Sequence, residues 1–344
     1  MPSPASPYQI RPGTDADIPA VIELMRVALG EGKIPRTREF WTWKHRTNPF
    51  GPSPMWLASA NDALVGVRLF MRWRWQWAGG RESLAAVRAV DTATHPDWQG
   101  KGIFKRLTLS LVDDMTRAGT AFVFNTPNDQ SRPGYLKMGW QQVGRVSLWI
   151  KPYRPLRALL SMLRASAPSH TPADVATTNP NEARALLEDA EHARLFARVA
   201  TRQPGYATPL SASYLAWRYL SCPAAAYELS SFDPRRGLVV HRNRMRRGLR
   251  ELTFTDLVVE SSLGGIRTAV ANVRAALRQA KPDYAVAALR RDSSEAAVLA
   301  ACGFVPAPRL GPIFTVRELA RAADTPDPAT ANNFHTSIGD LELF

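Results

Sequence analysis

Apolar residues in the first 150 positions follow two different periods. Between residues 17 and 29 they recur at helical spacing, after a Thr-Asp pair of the kind that starts a helix. The stretches 55–60, 63–77 and 83–94 have the composition of strands, and turn residues separate them. This order predicts a helix followed by an antiparallel meander.

The pattern continues as alternating helices and strands. It predicts a helix over about 102–118, a strand over 121–125, a short helix over 131–138 and a strand over 143–151. The first half of the chain is therefore expected to be a mixed-sheet α/β fold.

A change of composition follows this half. Residues 152–180 are rich in Pro, Ser, Ala and Thr and are expected to form a linker. The linker includes a basic and apolar stretch at 156–164, which fits a helix packed across a domain junction better than a helix on a membrane surface.

The second half repeats landmarks of the first. Trp43 and Pro49 recur as Trp217 and Pro223, both 174 residues later, whereas Gly139 recurs 164 residues later. The ten-residue difference falls at the long hairpin, where a deletion does least harm. The chain is therefore expected to contain two copies of one domain.

One stretch has the composition of an anion-binding loop. Gln99-Gly-Lys-Gly102 lies between a predicted strand and a predicted helix. Its glycines let backbone N–H groups converge, and the helix adds the positive end of its dipole, so the loop can hold a pyrophosphate. A plain tight turn has the same composition, so the loop alone does not identify a ligand.

Two motifs together resemble the GNAT acetyltransferases. Gln99 and Gly102 match the family loop Gln/Arg-x-x-Gly-x-Gly/Ala, although Phe104 occupies its last position. Asn128 and Tyr135 match a second motif after the next strand. The resemblance implies two tandem GNAT-like domains and acetyl-CoA as cosubstrate. It implies that the cofactor-binding residues are Thr92, Ala93, Thr94, Gln99, Gly100, Lys101, Gly102, Ile103, Phe104 and Asn128.

The resemblance also implies the catalytic groups. Tyr135 matches the position of the general acid, which gives a proton to the departing thiolate. Asp91, on the strand before the loop, is the candidate base or water-aligning group. A structural Asp at the end of a strand fits that position equally well.

Three further residues are candidates for contact with the acceptor. Trp43 lies in an aromatic segment for which packing and substrate contact both fit. The C-terminal segment contains apolar residues and is expected to dock on the folded body, carrying Asp340 and Glu342 with it. Those carboxylates would compete with Asp91 for the base role if they reach the cleft, whereas at a sheet edge they would face solvent.

The second copy lacks the groups that the first copy offers. Leu263, Gly265, Ile266, Asp292 and Leu299 stand, at a spacing of 164, where the first copy has Gln99, Lys101, Gly102, Asn128 and Tyr135. The C-terminal domain is therefore expected to be degenerate.

Composition limits the partners. Lys and Arg number 44 against 30 Asp and Glu, and the resulting formal charge of +14 favours anionic ligands. The basic residues are scattered, so no nucleic acid is expected as a partner. The sequence has no apolar run long enough for a bilayer and no leader-like start, so we expect a cytoplasmic protein. Its two cysteines lack metal-ligand spacing, so we expect no metal site. The oligomeric state is left open.

The sequence thus predicts an acetyl-CoA-dependent N-acetyltransferase that transfers directly to the primary amine of a small molecule; its charge fits an anionic or amino-sugar acceptor. The alternatives are a non-catalytic acyl-CoA-binding protein and an aminoacyl transferase of the tandem-GNAT cell-wall type. The predicted boundaries are a catalytic domain at 1–151, a linker at 152–180, a degenerate domain at 181–320 and a tail at 321–344.

Overall fold

The computed structural model describes residues 7–30, 35–77, 82–154, 179–200, 205–330 and 333–341. Most of the predicted linker, including the stretch at 156–164, and the candidate residue Glu342 lie outside these ranges. None of the helices in the described ranges combines the length and the apolar composition that crossing a membrane requires.

The described chain alternates strands and helices. The strands are β1 (Gln9–Pro12), β2 (Met55–Ala60), β3 (Ala63–Trp77), β4 (Glu82–Thr94), β5 (Phe122–Asn125), β6 (Gln141–Arg145), β7 (Leu148–Pro152), β8 (Tyr206–Ala207), β9 (Glu228–Ser230), β10 (Gly237–Arg246), β11 (Leu249–Val259), β12 (Tyr284–Ala288), β13 (Val305–Ala307), β14 (Ile313–Glu318) and β15 (Phe334–His335). The helices are α1 (Ile18–Leu29), α2 (Arg38–His45), α3 (Ile103–Arg117), α4 (Arg132–Lys137), α5 (Pro180–Glu188), α6 (Ala190–Ala200), α7 (Ala212–Leu215), α8 (Leu263–Ala280), α9 (Ser294–Ala301) and α10 (Ile338–Leu341).

Two mixed sheets organise these elements. The first has the order β1-β2-β3-β4-β5-β14-β6, and the second has the order β13-β7-β12-β11-β10-β9. The mixed-sheet α/β class predicted from the sequence is therefore confirmed, as is the meander β2-β3-β4.

The two sheets exchange a strand. β14, near the C-terminus, lies between β5 and β6 of the first sheet, with Thr315 opposite Asn125. In return β7, from the end of the first half, lies between β12 and β13, with Trp149 opposite Ala287. Each sheet therefore contains a strand that the sequence assigned to the other domain.

Equivalent features recur in the two halves. In each half the long antiparallel pair has a bulge in its second strand, at Asp91 in β4 and at Thr255 in β11, because one residue there has no partner opposite. These positions are 164 residues apart, the spacing that relates Gly139 to Gly303. Trp43 and Trp217 also meet in space: each indole N–H donates to the backbone carbonyl of the other residue, at 2.7 and 2.8 Å.

A large aromatic core joins the halves. Trp75 of β3 and Phe124 of β5 pack edge to face, and Phe334 of β15 packs against Trp75 with ring centroids 5.2 Å apart. Tyr214 of α7 packs at right angles to Trp73. Side chains from both halves thus bury one continuous apolar cluster.

The C-terminal segment docks as expected. β15 pairs with β8, and α10 follows with Ile338 and Leu341 buried. On β4, the Arg88 guanidinium donates to the backbone carbonyls of Asp340 and Leu341. The predicted docking is confirmed for residues 333–341.

Candidate active site

A gap opens in the first sheet between β4 and β5. The two strands pair in parallel at Ala86–Arg88 and Phe122–Phe124, after which β4 continues to Thr94 while β5 ends at Asn125. Thr92, Ala93 and Thr94 pair with β3 on one side, and no described strand lies on their other side. Their main-chain groups on that side are available to a ligand.

The glycine loop lies at the end of β4 and opens to solvent. Gly100 and Gly102 have φ values of +74° and +79°, and no heavy atom lies within 4 Å of where a Cβ would stand at either position. Helix α3 starts directly afterwards, so the amides of its first turn have no partner within the helix. A 15-residue helix pointing its N-terminus at an open glycine loop can hold a pyrophosphate.

The side chains around the loop divide into two groups. Lys101 is exposed and lies over the Trp98 ring, and Gln99 is also exposed. Ile103 is instead buried, close against Gly66 of β3, so it can meet a ligand only through its backbone. Asn128 is exposed, and its side-chain oxygen accepts a hydrogen bond from the Ser131 amide at 2.9 Å, which shapes the turn before α4.

Phe104, the departure from the family loop, points away from the phosphate position. Its ring packs edge to face on Tyr135, with centroids 5.5 Å apart, and lies near Gly134 of α4. The side chain therefore fills the space between α3 and α4 and does not obstruct the loop.

Tyr135 lies on α4 and is 4% exposed. Its phenolic oxygen accepts a hydrogen bond of 2.6 Å from Arg68 Nη2. The same guanidinium donates to the Val90 carbonyl at 3.0 Å, which ties Tyr135 to β4. Because the oxygen of Tyr135 accepts from Arg68, its own hydrogen remains available to donate.

Asp91 lies at the β4 bulge on the opposite face of the sheet, against α2. Its carboxylate forms an ion pair of 2.9 Å with Lys44 and a hydrogen bond of 2.8 Å with His45 Nε2. The other ring nitrogen of His45 bonds to the Ser53 hydroxyl at 2.9 Å. Burial acts to raise the pKa of Asp91, but the positive charge of Lys44 and the hydrogen bond from His45 outweigh it and hold this pKa well below its usual value.

A small pocket opens beside Asp91. Its walls come from α1, α2 and the segment before α2. They are mainly apolar, with Ile22, Met25, Phe40 and Trp41, and Arg36 and His45 are among their charged or polar members. The Trp41 indole N–H is buried and has no hydrogen-bond partner among the residues that the structure describes. The pocket thus combines one carboxylate, one cation and a donor in an apolar surround.

Two of the candidate acceptor residues have other contacts. Trp43 is 4% exposed and stacks on Trp217 at the junction of the halves, so packing accounts for it. The Asp340 carboxylate is buried and accepts a hydrogen bond from the Ser337 amide at 2.7 Å, which caps α10. The alternative of acids at a sheet edge in solvent is therefore wrong for Asp340.

Comparison with known families identifies the first half. Residues 9–143 match the family model described as the acetyltransferase (GNAT) domain. This region is a GNAT domain. The chain is accordingly an acyltransferase.

Solved structures share the fold over most of the chain. A GCN5-related N-acetyltransferase from Anabaena variabilis superposes with a TM-score of 0.61 at 13% identity, covering 91% of this chain and 73% of its own. Eis1 from Mycobacterium abscessus gives 0.55 at 14% identity, with 91% and 74% covered. Saccharomyces cerevisiae N-myristoyltransferase with bound myristoyl-CoA gives 0.54 at 10% identity, with 98% and 86% covered. No curated protein sequence matches the chain significantly.

The GNAT domain also contains site residues that the sequence did not single out. Arg68, Lys44 and His45 contact the two candidate catalytic groups, and all three are buried. Arg68 has a recognisable signal, since it is the one charged residue between Ala63 and Met71, in the apolar first part of β3. Lys44 and His45 have none, because their contact with Asp91 depends on how α2 packs against β4.

Proposed function

We propose that this enzyme transfers an acetyl group from acetyl-CoA directly to the primary amine of a small molecule. The observation that carries the proposal is the arrangement around one end of β4. An open glycine loop, a buried tyrosine with an available hydrogen and an ionised carboxylate all lie near the gap between β4 and β5.

The residues of the loop fit the cosubstrate. The amides of the first turn of α3, with the exposed side chains of Gln99 and Lys101, would hold the pyrophosphate, and Asn128 would border the same opening. The unpaired edge of β4 at Thr92, Ala93 and Thr94 would bind the pantetheine arm through backbone groups. Acetyl-CoA supplies the activated acyl group.

The chemistry requires proton movement at both ends of the reaction. An alkyl amine with a pKa near 10.4 is only about 0.1% neutral at pH 7.4, so deprotonating its ammonium group costs about 4 kcal/mol. The nitrogen lone pair then forms the new C–N bond, the C–S bond breaks, and the sulfur leaves with its electron pair. Tyr135 donates a proton to that sulfur, which yields a neutral thiol.

Asp91 is proposed to act at the amine. Because Lys44 and His45 keep it ionised, Asp91 attracts the ammonium group and aligns the amine, or a water that takes its proton. The small pocket next to Asp91 would hold a water or a small group beside the amine. The net charge of +14 supports an acceptor that also carries an anionic group.

The second half is proposed to be a degenerate GNAT-like copy. At the start of α8 the Ser262 hydroxyl accepts a hydrogen bond from the Gly265 amide, and the Arg236 side chain packs over Gly264. The position corresponding to the phosphate loop is therefore filled by the protein itself. The proposed role of this half is to support the catalytic domain and form part of the acceptor cleft.

The test is mass spectrometry of a metabolite extract incubated with enzyme and acetyl-CoA. We expect one class of amines to gain an acetyl group, and the Tyr135→Phe variant to form this product about 10²-fold more slowly. Binding of acetyl-CoA without any acetylated product would contradict the proposal and favour a non-catalytic acyl-CoA-binding protein.

A further inference from the structure

Arg68 is a buried cation at the centre of the first sheet. It lies on β3 opposite Thr92 of β4, and its exposed fraction is 1%. Its guanidinium lies 5.2–5.5 Å from the ring centroids of Phe70, Phe104 and Tyr135. An arginine is so rarely buried to this degree that its charge requires an explanation.

No acidic side chain in the described ranges bonds to Arg68. Its hydrogen bonds go to two neutral oxygens, the Val90 carbonyl and the Tyr135 phenol, and its Nε has no partner. The three neighbouring aromatic rings stabilise the guanidinium in part, through cation–π contacts. Arg68 therefore carries a positive charge that is paired with no acidic side chain of the described residues before the reaction.

A negative charge would form next to this cation during the proposed reaction. When Tyr135 gives its proton to the leaving sulfur, the phenolic oxygen that already accepts a hydrogen bond from Arg68 becomes a phenolate. An interaction that is strongest after the proton has moved accelerates the step, since it stabilises the transition state more than the ground state.

We propose that Arg68 is a positioning residue for the acid catalyst, acting through Tyr135. Its Nη2–H holds the phenolic oxygen so that the hydrogen of Tyr135 points into the gap between β4 and β5, and its charge stabilises the phenolate. The step balances, because the proton leaves oxygen for sulfur while the amine releases one proton that can restore the phenol. This inference depends on the proposed function of Tyr135 as the acid.

The kinetic test is a double-mutant cycle measured as thiol release from acetyl-CoA, with the extract's amine fraction as acceptor. Arg68→Met should lower kcat about 10²-fold and leave KM for acetyl-CoA within about 3-fold, the loss expected for one such donor. Arg68→Lys keeps the positive charge but not the forked guanidinium donor, so it should lower kcat less than Arg68→Met does. Arg68→Met combined with Tyr135→Phe should be no slower than Tyr135→Phe alone.

Arg74→Met is the matched control, because Arg74 lies on the same strand with its side chain exposed. Its kcat should equal that of the wild type. Full additivity of the Arg68 and Tyr135 losses would overturn the inference, since a merely structural role of Arg68 would add to any defect at Tyr135.

A second measurement does not require turnover. In protein labelled with ¹³Cζ-tyrosine, the Tyr135 signal, assigned from its loss in Tyr135→Phe, should shift in Arg68→Met and Arg68→Lys but not in Arg74→Met. An unchanged signal would refute the contact even if Arg68→Met folds poorly, because Arg68→Lys retains the charge. If the Tyr135 signal shifts but Tyr135→Phe has the wild-type kcat, then Tyr135 is not the acid, and the proposed role of Arg68 in positioning that acid fails as well.

Discussion

At the scale of single residues, the glycine loop shows how backbone conformation prepares a ligand site. Gly100 and Gly102 both lie in the left-handed region, where side chains are strained, and both leave open space above the backbone. That space is what the phosphates of a cosubstrate would fill. A side chain there would have to compete with the ligand.

The Gly102→Glu substitution is expected to abolish acetyl-CoA binding. The carboxylate would enter the open space and repel the pyrophosphate. Gly119→Glu is the matched control, because Gly119 has a φ of +71° and open space but lies at the other end of α3. Isothermal titration with acetyl-CoA would separate the two: equal affinities in both variants would place the phosphate loop elsewhere.

The sequence predicts these residues to very different degrees. Tyr135 and Gly102 were recognisable because a short motif fixes their local spacing. The contacts of Asp91 were not, since they come from Lys44 and His45 on a helix 46 residues earlier. A one-dimensional pattern does not contain the packing of α2 on β4, and so it did not show that Asp91 is held ionised.

At the scale of elements, the docked C-terminal segment brings two carboxyl groups together. Asp256 of β11 and Asp340 of α10 are both buried, and Tyr219 donates a hydrogen bond to Asp256. Burial, and next the nearby Asp340, raise the pKa of Asp256 to about 7. Burial raises the pKa of Asp340 as well.

The Asp256→Asn variant is expected to change how stability depends on pH. A carboxyl whose pKa is raised in the folded state stabilises the fold fully below about pH 4, and this contribution is lost as the pH rises through about 7. Asn resembles the protonated acid, so the variant should have nearly the wild-type Tm at pH 3.5 and a Tm at least about 2 °C higher at pH 8.5. Asp324→Asn, on the exposed surface, controls for net charge. A variant with a lower Tm than the wild type at pH 8.5 would show that Asp256 is needed in its ionised form.

The C-terminal segment is also open to a truncation test. Deleting residues 333–344 removes Phe334, Ile338 and Leu341 from the core, and burial of each side chain stabilises the fold by about 1.5–3 kcal/mol. It also removes the two backbone carbonyls, of Asp340 and Leu341, to which Arg88 donates. Ending the chain after Leu341 keeps all of these contacts. The longer deletion should therefore lower the Tm by several degrees, whereas the shorter one should retain the fold and acetyl-CoA binding.

The shorter truncation then measures whether the last residues serve the amine. Loss of amine turnover with intact acetyl-CoA binding would support an acceptor role for Glu342 or the terminal carboxylate. Wild-type turnover would confine the segment to its structural contacts.

At the scale of the whole molecule, the exchange of β7 and β14 limits what local pattern can predict. The pattern predicted one strand over 143–151, whereas the chain forms β6 and β7 there and places them in different sheets. Both are short, with five residues each, and only two residues separate them. Their partners, β14 and β12, are distant in sequence, so the separation depends on long-range pairing.

The exchange predicts that the halves fold as one unit. A fragment of residues 1–154 lacks β14, which leaves an unpaired edge on β5 and on β6 and uncovers aromatic side chains such as Trp75. We expect this fragment and the fragment 179–344 each to lack a cooperative thermal transition when expressed alone.

Expressed together, the two fragments should copurify in equal amounts and bind acetyl-CoA, because β14 and β7 can then take their places in the sheets. Val316→Pro in the second fragment should prevent this, since a proline at this buried position of β14 cannot donate a ladder hydrogen bond. Cooperative unfolding and acetyl-CoA binding by residues 1–154 alone would mean that the catalytic domain does not depend on the strand it receives.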